Sequence, residues 1–278
     1  MNGLAAGFEL GYNRFVRFAG LVPDTKGWIT MEKKNAWLSY DEATMAKVEA
    51  FAKAYCAYID GGKTERECVA LSVAASEEKG FADLMKVVRE GGKLEPGARV
   101  YVNWMNKCYL AFIVGSQPLS EGLNIVGAHI DSPRIDIKQN PLFEDGELAY
   151  LDTHYYGGIK KYQWLAMPLA LHGVIAKKDG TIVNIAIGEK EEDPVFYISD
   201  LLPHLGADQM SKTAAKLIEG EALDLIVGSK PVKLEEEKTS IKDGVMALIK
   251  EQYGVEEEDF ESAELEIVPA GNDRKSVV

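Results

Sequence analysis

Asn124-Ile-Val-Gly-Ala-His129-Ile-Asp131-Ser-Pro133 joins an apolar run to a histidine, an aspartate two positions on, and a Ser-Pro pair that breaks regular structure. Read as a strand over residues 123–128, the run mounts His129 on the lip of a sheet, where a metal site can be built. Residues i and i+2 share one face of a strand, so Asp131 reaches the same place as the imidazole. There its carboxylate accepts the second ring N–H and fixes the tautomer and aim of the histidine. A bare His-x-Asp is also a common polar strand end, and residue types alone leave both readings open.

Composition narrows the classes around that segment. At 278 residues the chain exceeds the usual single core, so two domains, or one domain carrying an insertion, are expected. An apolar content of 46% is ample for a core. The longest apolar runs, such as residues 109–114, are far too short to cross a bilayer, so no membrane span is expected. A net charge of −13 with no basic patch excludes nucleic acid and anionic membranes as expected partners. Lys160-Lys161 and Lys177-Lys178 are isolated pairs on a solvated surface. Cys56, Cys68 and Cys108 are odd in number, widely spaced and lie among apolar residues, which points to reduced, buried thiols and a cytoplasmic protein. No Cys-Cys metal spacing is present.

Working outward toward the N-terminus, Ser39-Tyr-Asp-Glu42 has the form of a capping box for a helix to about Ile59. Thr64-Glu-Arg-Glu67 opens a second helix to about Lys79, stopped by Gly80. Val48, Phe51, Ala52, Tyr55, Tyr58 and Ile59 recur at helical spacing and read as core. Residues 99–104 and 109–114 form strands of a hairpin turning at Asn106-Lys107. Residues 1–30, with scattered glycines and aromatics, read as an N-terminal extension, and Met31 as an alternative start. Residues 31–133 then open a layered α/β domain.

After Pro133 the pattern becomes mainly β. Strands are expected at 135–137, 148–151, 169–175, 181–187, 223–227 and 265–268, with turns at Asp145-Gly146 and Lys178-Asp-Gly180. Short helices are expected near 211–218 and 241–252. With no linker on either side, residues 134–268 read as an insertion into a host domain, to which 269–278 begin a return.

Several segments together resemble the M18 metalloaminopeptidases, the aspartyl aminopeptidase family, especially its bacterial members. They are Val126-Gly-Ala-His-Ile-Asp-Ser-Pro133, Lys138-Gln-Asn-Pro-Leu142, His154-Tyr-Tyr-Gly-Gly158 and Lys160-Lys-Tyr-Gln-Trp164, with residues 168–173, Ile198-Ser-Asp-Leu-Leu-Pro-His-Leu205 and Glu266-Ile-Val-Pro-Ala-Gly271. The resemblance covers most of the chain from Met31 to Gly271. It implies a zinc-exopeptidase-like α/β catalytic domain, here partial, interrupted by a β-rich dimerisation domain. It also implies removal of N-terminal residues from peptides, often acidic ones, by a homo-oligomer. Two divalent metals, usually zinc, would be bridged by a carboxylate beside a glutamate base.

Carried over position by position, His129 matches the metal-ligating histidine and Asp131 the catalytic-site carboxylate that orients it. His204 resembles the histidine that reaches a neighbouring subunit's substrate pocket, although a histidine in a surface turn after Pro203 fits its surroundings equally well. His154 reads as a turn residue and His172 as a satisfied core or edge histidine. The family's bridging aspartate, paired glutamates, further carboxylate and final histidine have no counterpart here. Asp273 and Arg274 lie in a polar tail, and Glu235-Glu236-Glu237 reads as a solvated run. The chain is therefore expected to be a truncated M18 aminopeptidase, inactive alone. The alternative is a non-catalytic relative that self-associates or binds a full-length paralogue through its β-rich part.

Overall fold

A computed structural model describes residues 35–233 and 239–271. The expectations for residues 1–30, Met31, Glu235-Glu236-Glu237, Asp273 and Arg274 lie outside them. The described residues fall into two units divided after Phe51.

In the first unit a 3-10 turn, Ala36–Ser39, is capped by Asn35, whose side chain accepts from the Trp37 N–H at 3.1 Å. Helix α1 (Glu42–Gly61) begins here and runs into the second unit. Its cap is Asp41, accepting from the Thr44 N–H at 2.8 Å, and not the expected Ser39, whose hydroxyl donates back to the Ala36 carbonyl. The expected core stripe of α1 is not core. No residue of the helix is buried, and Phe51 and Tyr55 are 74% and 56% exposed. Periodicity marks a face that is able to pack; burial needs a second layer laid against it.

In the second unit, α2 (Glu65–Glu78) follows with the expected capping box. The Thr64 hydroxyl accepts from the Glu67 N–H, and Glu67 Oε2 accepts from the Thr64 N–H at 3.0 Å. Strand β1 (Ala82–Asp83), the short helix α3 (Leu84–Arg89), β2 (Arg99–Trp104) and β3 (Cys108–Ile113) complete this region. The sheet runs β1-β2-β3, parallel then antiparallel. Its hairpin turns as expected: Met105 and Asn106 both have positive φ, and Lys107 N–H closes onto the Trp104 carbonyl at 3.1 Å. Tyr101 and Tyr109 fasten α2 to this sheet through Glu77 and Ser76.

The strand expected over residues 123–128 is absent. Residues 122–133 have no regular structure, and Val126 is fully exposed. A strand exists only where a neighbour accepts its ladder, and no described strand pairs with this run.

The larger sheet is built from β4 (Arg134–Asp145), β5 (Leu148–Tyr156), β6 (Leu169–Ala176), β7 (Ile182–Ile187), β8 (Leu225–Gly228) and β11 (Ala263–Pro269), in the order β7-β6-β11-β4-β5-β8. Between β7 and β8 lies the four-residue α4 (Ala207–Met210), with a separate 3-10 turn at Ala214–Lys216. These replace the single helix expected near 211–218. A two-stranded pair, β9 (Val232–Lys233) and β10 (Thr239–Ser240), precedes α5 (Ile241–Tyr253). Glu144, near the end of β4, accepts from the Ile241 and Lys242 N–H groups at 3.0 Å each and caps α5. Gly254 ends the helix in the left-handed region, at φ 64°.

The period-2 pattern of β11 sorts its residues into two faces. Leu265 and Ile267 join Ile135, Leu169, Leu171, Ile175, Leu223 and Leu225 in the apolar core, over which Val245, Met246 and Ile249 of α5 pack. Each side chain of that size, fully buried, contributes roughly 1.5–3 kcal/mol. Gly173 of β6 is where two backbones come closest. A Cβ there would lie 1.9 Å from the Glu264 carbonyl oxygen, at a φ of 140° that disfavours any other residue. On the opposite face of β11 stand Glu264 and Glu266, paired in register with Val174 and His172 of β6. That charged face meets the start of α2.

Candidate functional site

The His129 loop leads directly into β4. His129 is exposed, with its Nδ1 2.7 Å from the Asp131 carbonyl oxygen and 3.2 Å from Asp131 Oδ1. A carbonyl only accepts, so Nδ1 carries a proton and the lone pair of the neutral ring sits on Nε2. The Tyr156 hydroxyl donates to Asp131 Oδ2 at 2.9 Å, and this bond holds the carboxyl below its ordinary range. Asp131 thus orients the histidine through its backbone carbonyl as well as its side chain, and β5 fixes Asp131 in turn.

Zinc suits an imidazole presented in this way, and His129 is the residue here that would hold it. The set is incomplete among the described residues. Among them, no group of three or more histidine, cysteine or carboxylate side chains able to hold an ion includes His129, whereas a catalytic zinc takes three protein ligands.

Next to the loop, Arg134 begins a buried ionic seam. Its guanidinium lies over the Tyr156 ring at 4.5 Å and reaches Glu65 Oε1 at 2.8 Å, Asp136 Oδ1 at 2.8 Å and Glu266 Oε2 at 2.9 Å. Arg66 pairs with Glu264 at 2.6 Å, and Lys107, from the hairpin turn, pairs with Glu264 and lies 3.5 Å from Glu65. Four acids (Glu65, Asp136, Glu264 and Glu266) therefore meet three bases (Arg66, Lys107 and Arg134). Glu266 is 2% exposed. Burial, reinforced by the charge of Glu65 and opposed by Arg134, pushes its carboxyl up to about 8. With Glu266 protonated the seam balances. Burial also acts on Glu65, but its own backbone N–H and Arg134 outweigh it and lower that carboxyl. Oxygens of Glu65, Glu264 and Glu266 lie within 4.8 Å of one another, close enough to hold an ion. Lys107 and Arg134 already lie against them, so the seam is a structural joint between α2, the hairpin and the large sheet.

A second polar cluster lies around His172. The ring is buried, with Nδ1 2.7 Å from Glu67 Oε1 and Nε2 2.9 Å from Glu189 Oε1. It is the satisfied core histidine that the sequence indicates. His154 is not in a turn as expected. It stands exposed on β5, stacked on Tyr155 at 5.4 Å and 3.4 Å from Glu221. His204 lies exposed in the turn at 203–205, closed by the Leu205 N–H onto the Leu202 carbonyl at 2.9 Å. It does not meet His129 in any metal-holding group. Sequence reasoning missed Glu65, Lys107, Arg134, Glu264 and Glu266. The available signal was the pair of glutamates alternating with Leu265 and Ile267 in an otherwise apolar strand.

Residues 58–276 match the family described as aminopeptidase I zinc metalloprotease (M18). The chain is 51% identical over 243 residues to a probable M18 family aminopeptidase 1 of Clostridium acetobutylicum, covering 87% of this chain and 52% of the relative. The crystal structure of aminopeptidase I from that organism matches the fold with a TM-score of 0.78 at 49% identity, covering 88% of this chain and 54% of that one. An M18 aminopeptidase from Thermotoga maritima matches with a TM-score of 0.77 at 45% identity, covering 86% and 51%. The chain belongs to the M18 family, whose members are zinc metalloaminopeptidases. It spans about half the length of the curated relatives it matches.

Proposed function

We propose that this chain supplies one corner of an M18 aminopeptidase site, with His129 as a metal ligand and Asp131 as the residue that holds it in place. The observation carrying this reading is the His129 ring itself, exposed and fastened at Nδ1 so that Nε2 faces outward as a ligand atom. His129 would hold one of two divalent ions, zinc by family, which when bound would supply Lewis-acid activation of the scissile carbonyl and of the attacking water. The remaining ligands and the general base belong to the part of the relatives' length that this chain does not match. Substrates are peptides cleaved at the N-terminal residue, acidic ones among them.

In the same reading, residues 134–268 form an inserted dimerisation domain between 31–133 and the return that begins at 269, and the protein acts as a homo-oligomer. His204, flanked by the exposed Leu202 and Leu205, serves a neighbouring subunit's substrate pocket. Of the free cysteines only Cys68 is buried and Cys108 is exposed, against the expectation of buried thiols; that all three are unpaired supports a reducing, cytoplasmic location. No described helix is long and apolar enough to cross a membrane.

A second reading is a non-catalytic relative, favoured by a six-stranded sheet with its own core beside a His129 that joins no ion-holding group of three or more among the described residues. Assays with glutamyl-, aspartyl- and leucyl-p-nitroanilide in the presence of zinc test both. The purified chain is expected to give no turnover alone, and to give turnover when mixed with the complementary half of the Clostridium acetobutylicum relative. A stable oligomer that stays silent in the mixture supports the second reading. Turnover by the chain alone contradicts both.

A further inference from the structure

We propose that Lys63, Glu67, His172 and Glu189 form a proton-dependent clasp that holds the start of α2, and the chain leaving β11, against the six-stranded sheet. Both ring nitrogens of His172 face carboxylate oxygens, Nδ1 toward Glu67 at 2.7 Å and Nε2 toward Glu189 at 2.9 Å. A neutral imidazole has one N–H, so it would set a lone pair against one of those carboxylates. Only the imidazolium donates to both. Glu189 Oε1 also takes Lys63 Nζ at 2.6 Å, and that ammonium donates to the carbonyls of Pro269 at 2.9 Å and Gly271 at 2.7 Å. Glu67 turns its other oxygen to the Lys63 and Thr64 N–H groups, both at 3.0 Å. One proton on His172 thus links β6, the loop following β7, the N-terminus of α2 and the end of β11.

The groups facing His172 from its surroundings are mostly acidic. They are Glu67 from α2 and Glu189 after β7, both bonded to the ring, and Glu266 opposite it on β11, with Asp136 and Arg134 beyond on β4; Lys63, which shares Glu189 Oε1 with the ring, is the nearest cation. Burial opposes the charge on the ring, but Glu67 and Glu189 outweigh it and raise its proton affinity. The folded imidazole therefore keeps its proton above the ordinary value of 6.5. The clasp is complete below that pH and is lost as pH rises through the raised value. Glu266 loses its proton over an overlapping range, so its contribution must be separated by variant.

Two measurements on the intact chain decide the matter. Nitrogen NMR of His172, followed from pH 6 to 9, reads the ring directly: a midpoint for loss of the second ring proton above 6.5 is expected, and a midpoint at or below 6.5 would overturn the clasp. Hydrogen exchange at the Lys63 and Thr64 amides, corrected for intrinsic rate, is then compared from pH 6 to 10 in wild type, His172→Gln and Glu266→Gln. Wild type and Glu266→Gln should open increasingly with pH, by about tenfold per unit above the ring's pKa. His172→Gln should be open already at pH 6 with a flat profile. Retention of the wild-type profile in His172→Gln contradicts the proposal. If that variant does not fold, the NMR result decides alone.

Discussion

At the scale of single residues, the ionic seam depends on where one proton resides. Glu266 is directly opposite both His172 and Asp136, on the central strand of the large sheet. Its carboxyl, pushed up to about 8 by burial and by Glu65, binds more protons folded than unfolded between roughly pH 4.5 and 8. Stability from this group therefore falls as pH rises across that window. Glu266→Gln keeps the side chain neutral and the shape nearly unchanged. Urea midpoints for wild type and variant should converge near pH 5 and separate toward pH 8.5, with the variant the more stable at the alkaline end. Equal pH slopes would show that Glu266 is already ionised in the folded chain. Apart from the glutamates alternating with Leu265 and Ile267, this was not legible in the sequence, because the seam brings residues 65, 107, 134 and 266 together from four separate segments. His129 and Asp131 were legible as a pair because the bond between them is local.

Among elements, local chemistry was read correctly and long-range pairing was not. The box Thr64-Glu-Arg-Glu67 forms as its spacing indicates because all its bonds lie within four residues. Thr64→Ala removes the hydroxyl that accepts from the Glu67 N–H. It is expected to cost about 1 kcal/mol in a urea titration. A loss near zero would mean that Glu67, held by His172, caps the helix unaided. The strands of the large sheet were found because turns such as Asp145-Gly146 punctuate them, and Glu147 and Gly146 both take positive φ there. The run at 123–128 has the same apolar character and forms no strand. Sequence shows that a segment would pair; it does not show whether a neighbour is present. The stripe on α1 likewise marked a face without fixing its depth of burial, and the helix near 211–218 broke into α4 and a 3-10 turn.

For the whole molecule, the two sheets differ in how far they are finished. The six-stranded sheet has a continuous apolar core on one face and a balanced ionic joint on the other. Around the hairpin, Leu110, Phe112 and Ile113 remain exposed, as do Leu123, Ile125 and Val126 ahead of His129. Apolar surface in such a row marks a place where more protein packs. His129, the proposed metal ligand, therefore stands beside this exposed apolar row, while the large sheet serves as its anchor through Asp131, Tyr156 and Arg134. Equilibrium dialysis of the purified chain against micromolar zinc, with bound metal counted per chain, tests this division most directly. An isolated His129 corner should retain well under one ion per chain. One or two tightly held ions per chain would mean that this polypeptide assembles a complete metal site on its own.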